Sequence, residues 1–227
     1  MSSEAFVTAL VLAAGGSRRL GEPKQLLPLG DSTVLGTVLD VVRTCSLDQR
    51  LCVIGGAAGR VRGAVDLTGF DVVENPSFGE GCSSSIAAAL RAVDVRAQTL
   101  VLILGDQPGL SPASVAALVT GRGEAPIAAC RYEDGRGHPL AFDRSLFGEL
   151  ASMHGDKAVW KLMDRHASRV VEVPVAGLIP RDVDTREDYD RLLAERSRPS
   201  SSPTTRGGSR MPGSDAVGPP RSDAGRA

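Results

Sequence analysis

The 227-residue chain carries 26 Lys and Arg against 27 Asp and Glu, a net charge of −1, so no bulk field draws it to nucleic acid or to a membrane, and any charge that binds an anion must be local. Its four cysteines, Cys45, Cys52, Cys82 and Cys130, form no C-x-x-C pair and have no histidine at zinc-ligand spacing, which excludes a zinc finger and suits buried free thiols in a reducing cytoplasm. No basic segment precedes a long apolar run, and the run at 7–14 is too short to span a bilayer, so a cytoplasmic protein is expected.

In chain order, residues 7–12 read as a strand that leads into a small-residue, basic loop at 13–24. A helix follows at 34–44, then a strand at 51–54, a helix at 57–65, a strand at 70–73 and a helix at 84–93. The second half continues with a strand at 100–104, a helix at 112–119, a strand at 127–130, helices at 144–151 and 157–165, a strand at 170–173 and a last helix at 186–194. Ser111 before Pro112 marks a helix start, and Thr185 with Asp188 three residues later forms a capping-box pattern. The strands are continuously apolar, as strands buried on both faces are. Their alternation with helices implies right-handed crossovers and a three-layer α/β/α, Rossmann-like fold with a mostly parallel central sheet. Ligands of such sheets bind at the carboxyl ends of the strands. From Arg196 the composition turns to Ser, Pro, Gly and Arg. Residues 1–195 are therefore expected to form the domain and 196–227 a disordered tail, with too little apolar surface to offset the entropy of ordering.

The loop after the first strand reads Ala13-Ala14-Gly15-Gly16-Ser17-Arg18-Arg19-Leu20-Gly21-Glu22-Pro23-Lys24. Gly15 and Gly16 let backbone N–H groups approach an anion, and Arg18, Arg19 and Lys24 supply charge suited to a triphosphate. It is not a Walker A loop, because no glycine directly precedes Lys24 and Gln25 follows it. Asp106, at the carboxyl end of an aliphatic strand, is placed to hold Mg²⁺ through one or two oxygens; a helix-capping role before Pro108 is its alternative. Asp184 is read as reaching the same cation or as a turn carboxylate. Ser83, Ser84 and Ser85 offer hydroxyls and helix-terminal N–H groups to a sugar or base, one of them serving as a helix N-cap. His154 and His166 sit on helical patterns without partners at metal-ligand spacing.

Leu12 through Lys24 resembles the opening signature L-A-[AG]-G-x-S-x-R-[ML]-G-x-x-K of the molybdenum-cofactor nucleotidyltransferase superfamily, its one irregularity being Arg at both 18 and 19. The resemblance continues in order through Asn75-Pro76 and the segment Glu80-Gly81-Cys82-Ser83-Ser84-Ser85-Ile86, similar to the part that lines base and ribose. Gly105-Asp106-Gln107-Pro108 resembles a G-D-x-P metal motif, Gly137-His138-Pro139 with Phe142 a G-H-P-x-x-F acceptor-side strand, and Asp182-Val183-Asp184-Thr185 a closing D-[IV]-D-T. One departure is Gly155-Asp156-Lys157-Ala158, which lacks the arginine of the family's G-D-x-G-A-R. Ala14, where the guanylyl-transferring branch carries glycine, points to the cytidylyltransferase branch.

This resemblance implies the nucleotide-diphospho-sugar transferase type of fold and transfer of CMP from CTP to the phosphate of molybdopterin, with Mg²⁺ on Asp106 and Asp184. It implies catalysis by Arg18, Lys24 and Asp106. Nucleotide contacts would come from Leu12, Ala13, Ala14, Gly15, Gly16, Ser17, Arg18, Arg19, Lys24, Asn75, Gly81, Ser83 and Ser84, and an acceptor contact from His138. The partners implied are CTP or another NTP, a phosphorylated pterin-type acceptor and a molybdenum hydroxylase apoenzyme. Three rival readings stand beside it: a guanylyltransferase using GTP, a non-catalytic cofactor chaperone, and an NAD(P)H-dependent oxidoreductase. The last would use Gly79-x-Gly81-x-x-Ser84 as a dinucleotide fingerprint with Asp106 downstream.

Overall fold

The structure, a computed structural model, describes residues 5–17 and 19–197. Residues 1–4, Arg18 and 198–227 lie outside the described residues, and with them the expected tail beyond Ser197. In chain order the elements are β1 (Val7–Ala13), β2 (Pro28–Leu29), β3 (Ser32–Thr33), α1 (Val34–Thr44), β4 (Gln49–Ile54), α2 (Ala58–Ala64), β5 (Asp71–Glu74), α3 (Cys82–Leu90), β6 (Thr99–Leu104), α4 (Pro112–Arg122), β7 (Ile127–Tyr132), β8 (Gly135–Asp143), α5 (Phe147–Ala151), α6 (Ala158–Arg165), β9 (Val170–Pro174) and α7 (Arg186–Arg196).

Seven strands form one sheet in the order β5-β4-β1-β6-β8-β7-β9. β1 is central and pairs in parallel with β4 and β6, while β8 runs antiparallel to both β6 and β7. The sheet is thus mostly parallel, as expected, with β8 as the one opposed strand. The strand–helix alternation left β8 out because no helix separates it from β7; the Glu133-Asp134 turn folds it straight back. A two-stranded β2–β3 hairpin is also absent from the sequence reading, and the helix expected at 144–151 begins as a 3₁₀ turn, Arg144–Leu146. α7 extends through Arg196, beyond the expected domain end.

The pleat of β1 sends alternate side chains to two cores. Ala9 and Val11 pack with Leu35, Val38 and Leu39 of α1 and Leu118 of α4. Leu10 packs on the other face with Ile86 of α3, Leu150 of α5 and Leu162 of α6. The three layers follow from that alternation. Ser111 accepts from Ala113 N at the start of α4, and Thr185 and Asp188 close a reciprocal capping box at α7, so both helix starts read from the sequence are present. α7 itself rests outside the layers: Tyr189 packs with Leu27, Leu29, Val34 and Val183, and its hydroxyl donates to Pro28 O at 2.5 Å.

Candidate active site

The loop after β1 is held by the strands that flank it. Gly105 N donates to Leu12 O at 2.9 Å and Gly56 N to Ala14 O at 3.2 Å. A β-carbon on Gly55 would stand 2.8 Å from Ala14 O, and one on Gly105 2.9 Å from Leu12 O, so neighbouring strand ends approach this closely only as glycine. Gln25, which the sequence reading passed over, is buried beneath the loop at 3% exposure. Its Nε2 donates to Ala13 O at 2.7 Å and to Gly15 O at 2.9 Å. Ser17 adopts φ 49°, and its hydroxyl accepts from Lys24 N at 2.9 Å. Loop carbonyls are therefore drawn inward, while Gly15 and Gly16 remain exposed.

Lys24 crosses the cleft to the ends of β6 and the 175–185 segment. Its Nζ donates to Asp106 Oδ2 and, at 2.8 Å, to Asp184 Oδ1; Arg19 donates to the other oxygen of Asp184 at 2.6 Å. Burial opposes the Lys24 ammonium, but the two carboxylates outweigh it and its pKa lies above the usual 10.5. Desolvation likewise opposes the charge on Asp184, yet its bonds to Lys24 and Arg19 hold its pKa below 3.8. Asp182 shifts the other way. Its carboxyl accepts from Gln107 Nε2 at 2.8 Å, and desolvation together with nearby Asp106 raises its pKa. Val183 N donates to Asp106 O at 3.1 Å, tying the two acidic segments by backbone.

This donor set fits a hard divalent cation, since two carboxylates already converge on one positive atom. Among the described residues no group of three His, Cys, Asp or Glu stands close enough to cage a metal alone. Asp106 and Asp184 would hold such an ion in part only.

The segment before α3 forms the adjoining wall. Asn75 is buried, donating to the hydroxyls of Ser84 at 2.9 Å and Ser85 at 3.0 Å and accepting from Ser77 N at 3.0 Å, so its amide braces the wall. Ser84 donates to Ser77 O and Gly81 O, and Ser83 is buried in α3. None of the three serines is the N-cap: α3 begins at Cys82 and Gly81 takes that position at φ 100°. Ser85 and Cys82 line the cleft, Cys82 contrary to the expectation of uniformly buried thiols; burial pushes its pKa up to about 11. Asp156, four residues before Trp160, accepts from Cys82 N at 3.1 Å.

His138 begins the inner part of β8, edge-on to Trp160 with ring centroids 5.6 Å apart. Burial lowers its pKa to about 4, so it faces this end of the sheet as a neutral imidazole. Arg18 lies outside the described residues. His166 bonds to Glu149 at 2.8 Å, away from the cleft.

Residues 9–170 match the model of the MobA-like NTP transferase domain. Among solved structures, the chain is 51% identical to the rv0371c homolog from Mycobacterium sp. strain JC1, covering 83% of this chain and 96% of that one at a TM-score of 0.80. It is 48% identical to Rv0371c of Mycobacterium tuberculosis H37Rv solved with manganese, covering 83% and 98% at 0.73. Among curated proteins it is 27% identical over 199 residues to the purine catabolism protein PucB of Bacillus subtilis, 82% of this chain and 96% of that protein. It is also 28% identical over 108 residues to the molybdenum cofactor cytidylyltransferase of Escherichia coli, 46% and 54% of the two chains. The glycine-bound loop after β1, facing Lys24, Asp106 and Asp184 at the carboxyl ends of a mostly parallel sheet, accords with these likenesses: the chain belongs to the MobA-like NTP transferase family of nucleotidyltransferases.

Proposed function

We propose that the chain transfers CMP from CTP to the phosphate of a molybdopterin-type acceptor, releasing pyrophosphate, with Mg²⁺ as its ion. The observation that carries this reading is Lys24 reaching from the phosphate loop to Asp106 and Asp184. One residue thereby links the place for a triphosphate to the place for a cation.

The acceptor phosphate oxygen attacks the α-phosphorus in line while pyrophosphate leaves opposite, with no covalent enzyme intermediate. Exposed Gly15 and Gly16 present backbone to the phosphates, and Lys24 with Arg19 and Arg18 neutralises charge that builds toward the leaving group. Asp106 and Asp184 would hold a divalent ion, which would supply further charge neutralisation; the relative solved with manganese supports a divalent cation here. His138, neutral and next to Trp160, contacts the acceptor as a hydrogen-bonding group. The cytidylyltransferase relative supports CTP and the pterin acceptor.

The oxidoreductase reading fits the geometry less well. Gly79 and Gly81 follow β5 at the sheet edge, Ser84 is engaged with local carbonyls, and Asp106 is paired with Lys24. Pyrophosphate release measured with CTP, GTP and ATP, with and without molybdopterin, tests the proposal. Acceptor-dependent release from CTP is expected. Preferential release from GTP would replace cytidylyl by guanylyl transfer, and NADPH binding without NTP turnover would overturn the reading.

A further inference from the structure

Lys24 holds the place that a cation bound by both carboxylates would take. Its Nζ donates to one oxygen of Asp106 and, at 2.8 Å, to one oxygen of Asp184, so the ammonium stands where the two groups converge. Hard divalent ions bind carboxylate oxygens at about 2.0–2.6 Å, and two positive charges confined to so small a space repel strongly. The ammonium and the ion are therefore alternatives: for one to be held by both carboxylates, the other must leave.

The side chain has a second place to go. Its backbone is fixed, because Lys24 opens the 3₁₀ turn Lys24–Leu26 directly after Pro23 and its N donates to Ser17 Oγ at 2.9 Å. The stem runs beside the glycine loop: a β-carbon on Gly15 would stand 3.9 Å from Lys24 Cε, the atom that carries Nζ. Rotation about the outer side-chain bonds, between ordinary staggered states, thus turns the ammonium from the carboxylates toward the exposed loop without moving the main chain. Arg19 does not contest the shared point. It takes the other oxygen of Asp184 at 2.6 Å, with its side chain 67% exposed.

We propose that Lys24 stands in for the divalent cation until metal and triphosphate arrive together: the ammonium yields its place between Asp106 and Asp184 to the ion and turns to the triphosphate on the loop. Each ligand then favours the other, since the ion releases Lys24 for phosphate and the phosphate gives Lys24 a new partner. Entry of the ion alone breaks two charge-assisted hydrogen bonds with nothing to replace them, which weakens its binding by roughly tenfold or more. The triphosphate half of this exchange rests on the nucleotidyltransferase reading above, whereas the half at the carboxylates stands without it.

Two measurements on the full chain test the exchange. In calorimetric titration with Mn²⁺ alone, Lys24→Met should bind the ion roughly tenfold or more tightly than wild type. Asp106 and Asp184 form their ion pairs with Lys24 and Arg19, so Arg181, which lines the hollow beside Asp184, provides the charge-matched control, and Arg181→Met should bind Mn²⁺ as wild type does. Unchanged affinity in Lys24→Met overturns the proposal, and so does equal tightening in Arg181→Met, which is what a general loss of positive charge gives. The second measurement needs no variant. Acetylation of Lys24 in wild type by an amine-reactive reagent, quantified by peptide mass spectrometry, should rise several-fold when Mn²⁺ saturates the protein. It should fall again when inorganic tripolyphosphate is added as its Mn²⁺ complex with free Mn²⁺ kept saturating. Binding of Mn²⁺ that leaves Lys24 as protected as before overturns the proposal. Unmasking by Mn²⁺ without renewed protection by tripolyphosphate upholds the exchange at the carboxylates and counts against the loop as a triphosphate site, and so against the nucleotidyltransferase reading.

Discussion

Lys24 connects three groups whose charges would otherwise conflict. Its side chain is 15% exposed and those of Asp106 and Asp184 are 19% and 35% exposed, so removing the ammonium leaves two carboxylates facing each other with limited solvent to screen them. Lys24→Ala should lower CTP turnover by roughly 10²–10³, the range for loss of a preorganised charge partner in a transition state. The same variant should gain more thermal stability from added Mn²⁺ than wild type does, because the cation relieves a repulsion that Lys24 otherwise neutralises. Melting curves with and without the metal check this, and an equal gain in both proteins would show that the carboxylates do not share the cation site. Gln25 acts on the same loop from beneath. Gln25→Ala leaves the Ala13 and Gly15 carbonyls without their donor, a loss of about 1–3 kcal/mol. Its kinetic signature should be a raised KM for CTP with a smaller change in kcat, and Gln25→Glu, which cannot donate to either carbonyl, should not rescue it.

Helix α7 shows how an element outside the sheet serves the site. The capping box at Thr185 and Asp188 starts the helix directly after Asp184, while Tyr189 anchors it to the β2–β3 hairpin. Thr185→Ala should cost about 1 kcal/mol through the lost cap and loosen Asp184. Metal titration should show weaker Mn²⁺ binding in that variant although no ligand has changed; unchanged binding would separate the cap from the site. Much of this was legible in the sequence, because capping chemistry is local and the alternating apolar runs report burial on both sheet faces. β8 escaped because its Glu133-Asp134 turn returns the chain without a crossover helix, although Asp134-Gly135 is itself a hairpin signal. The residues assigned from motifs divide by geometry. Lys24, Asp106 and Asp184 meet, whereas Asn75 and Ser84 spend their polar groups on the wall behind the cleft. Asp182 and Asp156 stood inside recognisable motifs that gave them no role of their own, whereas Gln25 carried no sequence pattern that marks its place, since it acquires that place from the fold of its own loop.

At the scale of the whole molecule, the buried and paired groups set a pH window for stability. His138 has its pKa lowered to about 4 from 6.5 by burial, so between those values the unfolded chain takes up a proton that the folded chain refuses. Stability then rises with pH across that interval, and falls on acidification by at most about 1.4 kcal/mol per pH unit from this one residue. Below the ordinary carboxylate range a second loss begins. Asp184, whose pKa is lowered by Lys24 and Arg19 despite desolvation, stabilises the fold above 3.8, and that contribution disappears as pH falls through its folded value. At the alkaline end the sign reverses. Lys24, raised by Asp106 and Asp184 against the effect of burial, stabilises the fold below 10.5, and the contribution is lost as pH rises through its folded pKa. Urea denaturation from pH 4 to 7 should therefore show a declining limb toward acid that is shallower in His138→Gln, a neutral side chain that takes up no proton there. The same titration carried above pH 10.5 should show an alkaline limb that persists in that variant and shrinks in Lys24→Met. If His138→Gln loses stability toward acid as steeply as wild type, the imidazole is not held neutral by the fold, and the role of a neutral hydrogen-bonding group at the acceptor end of the cleft falls with it.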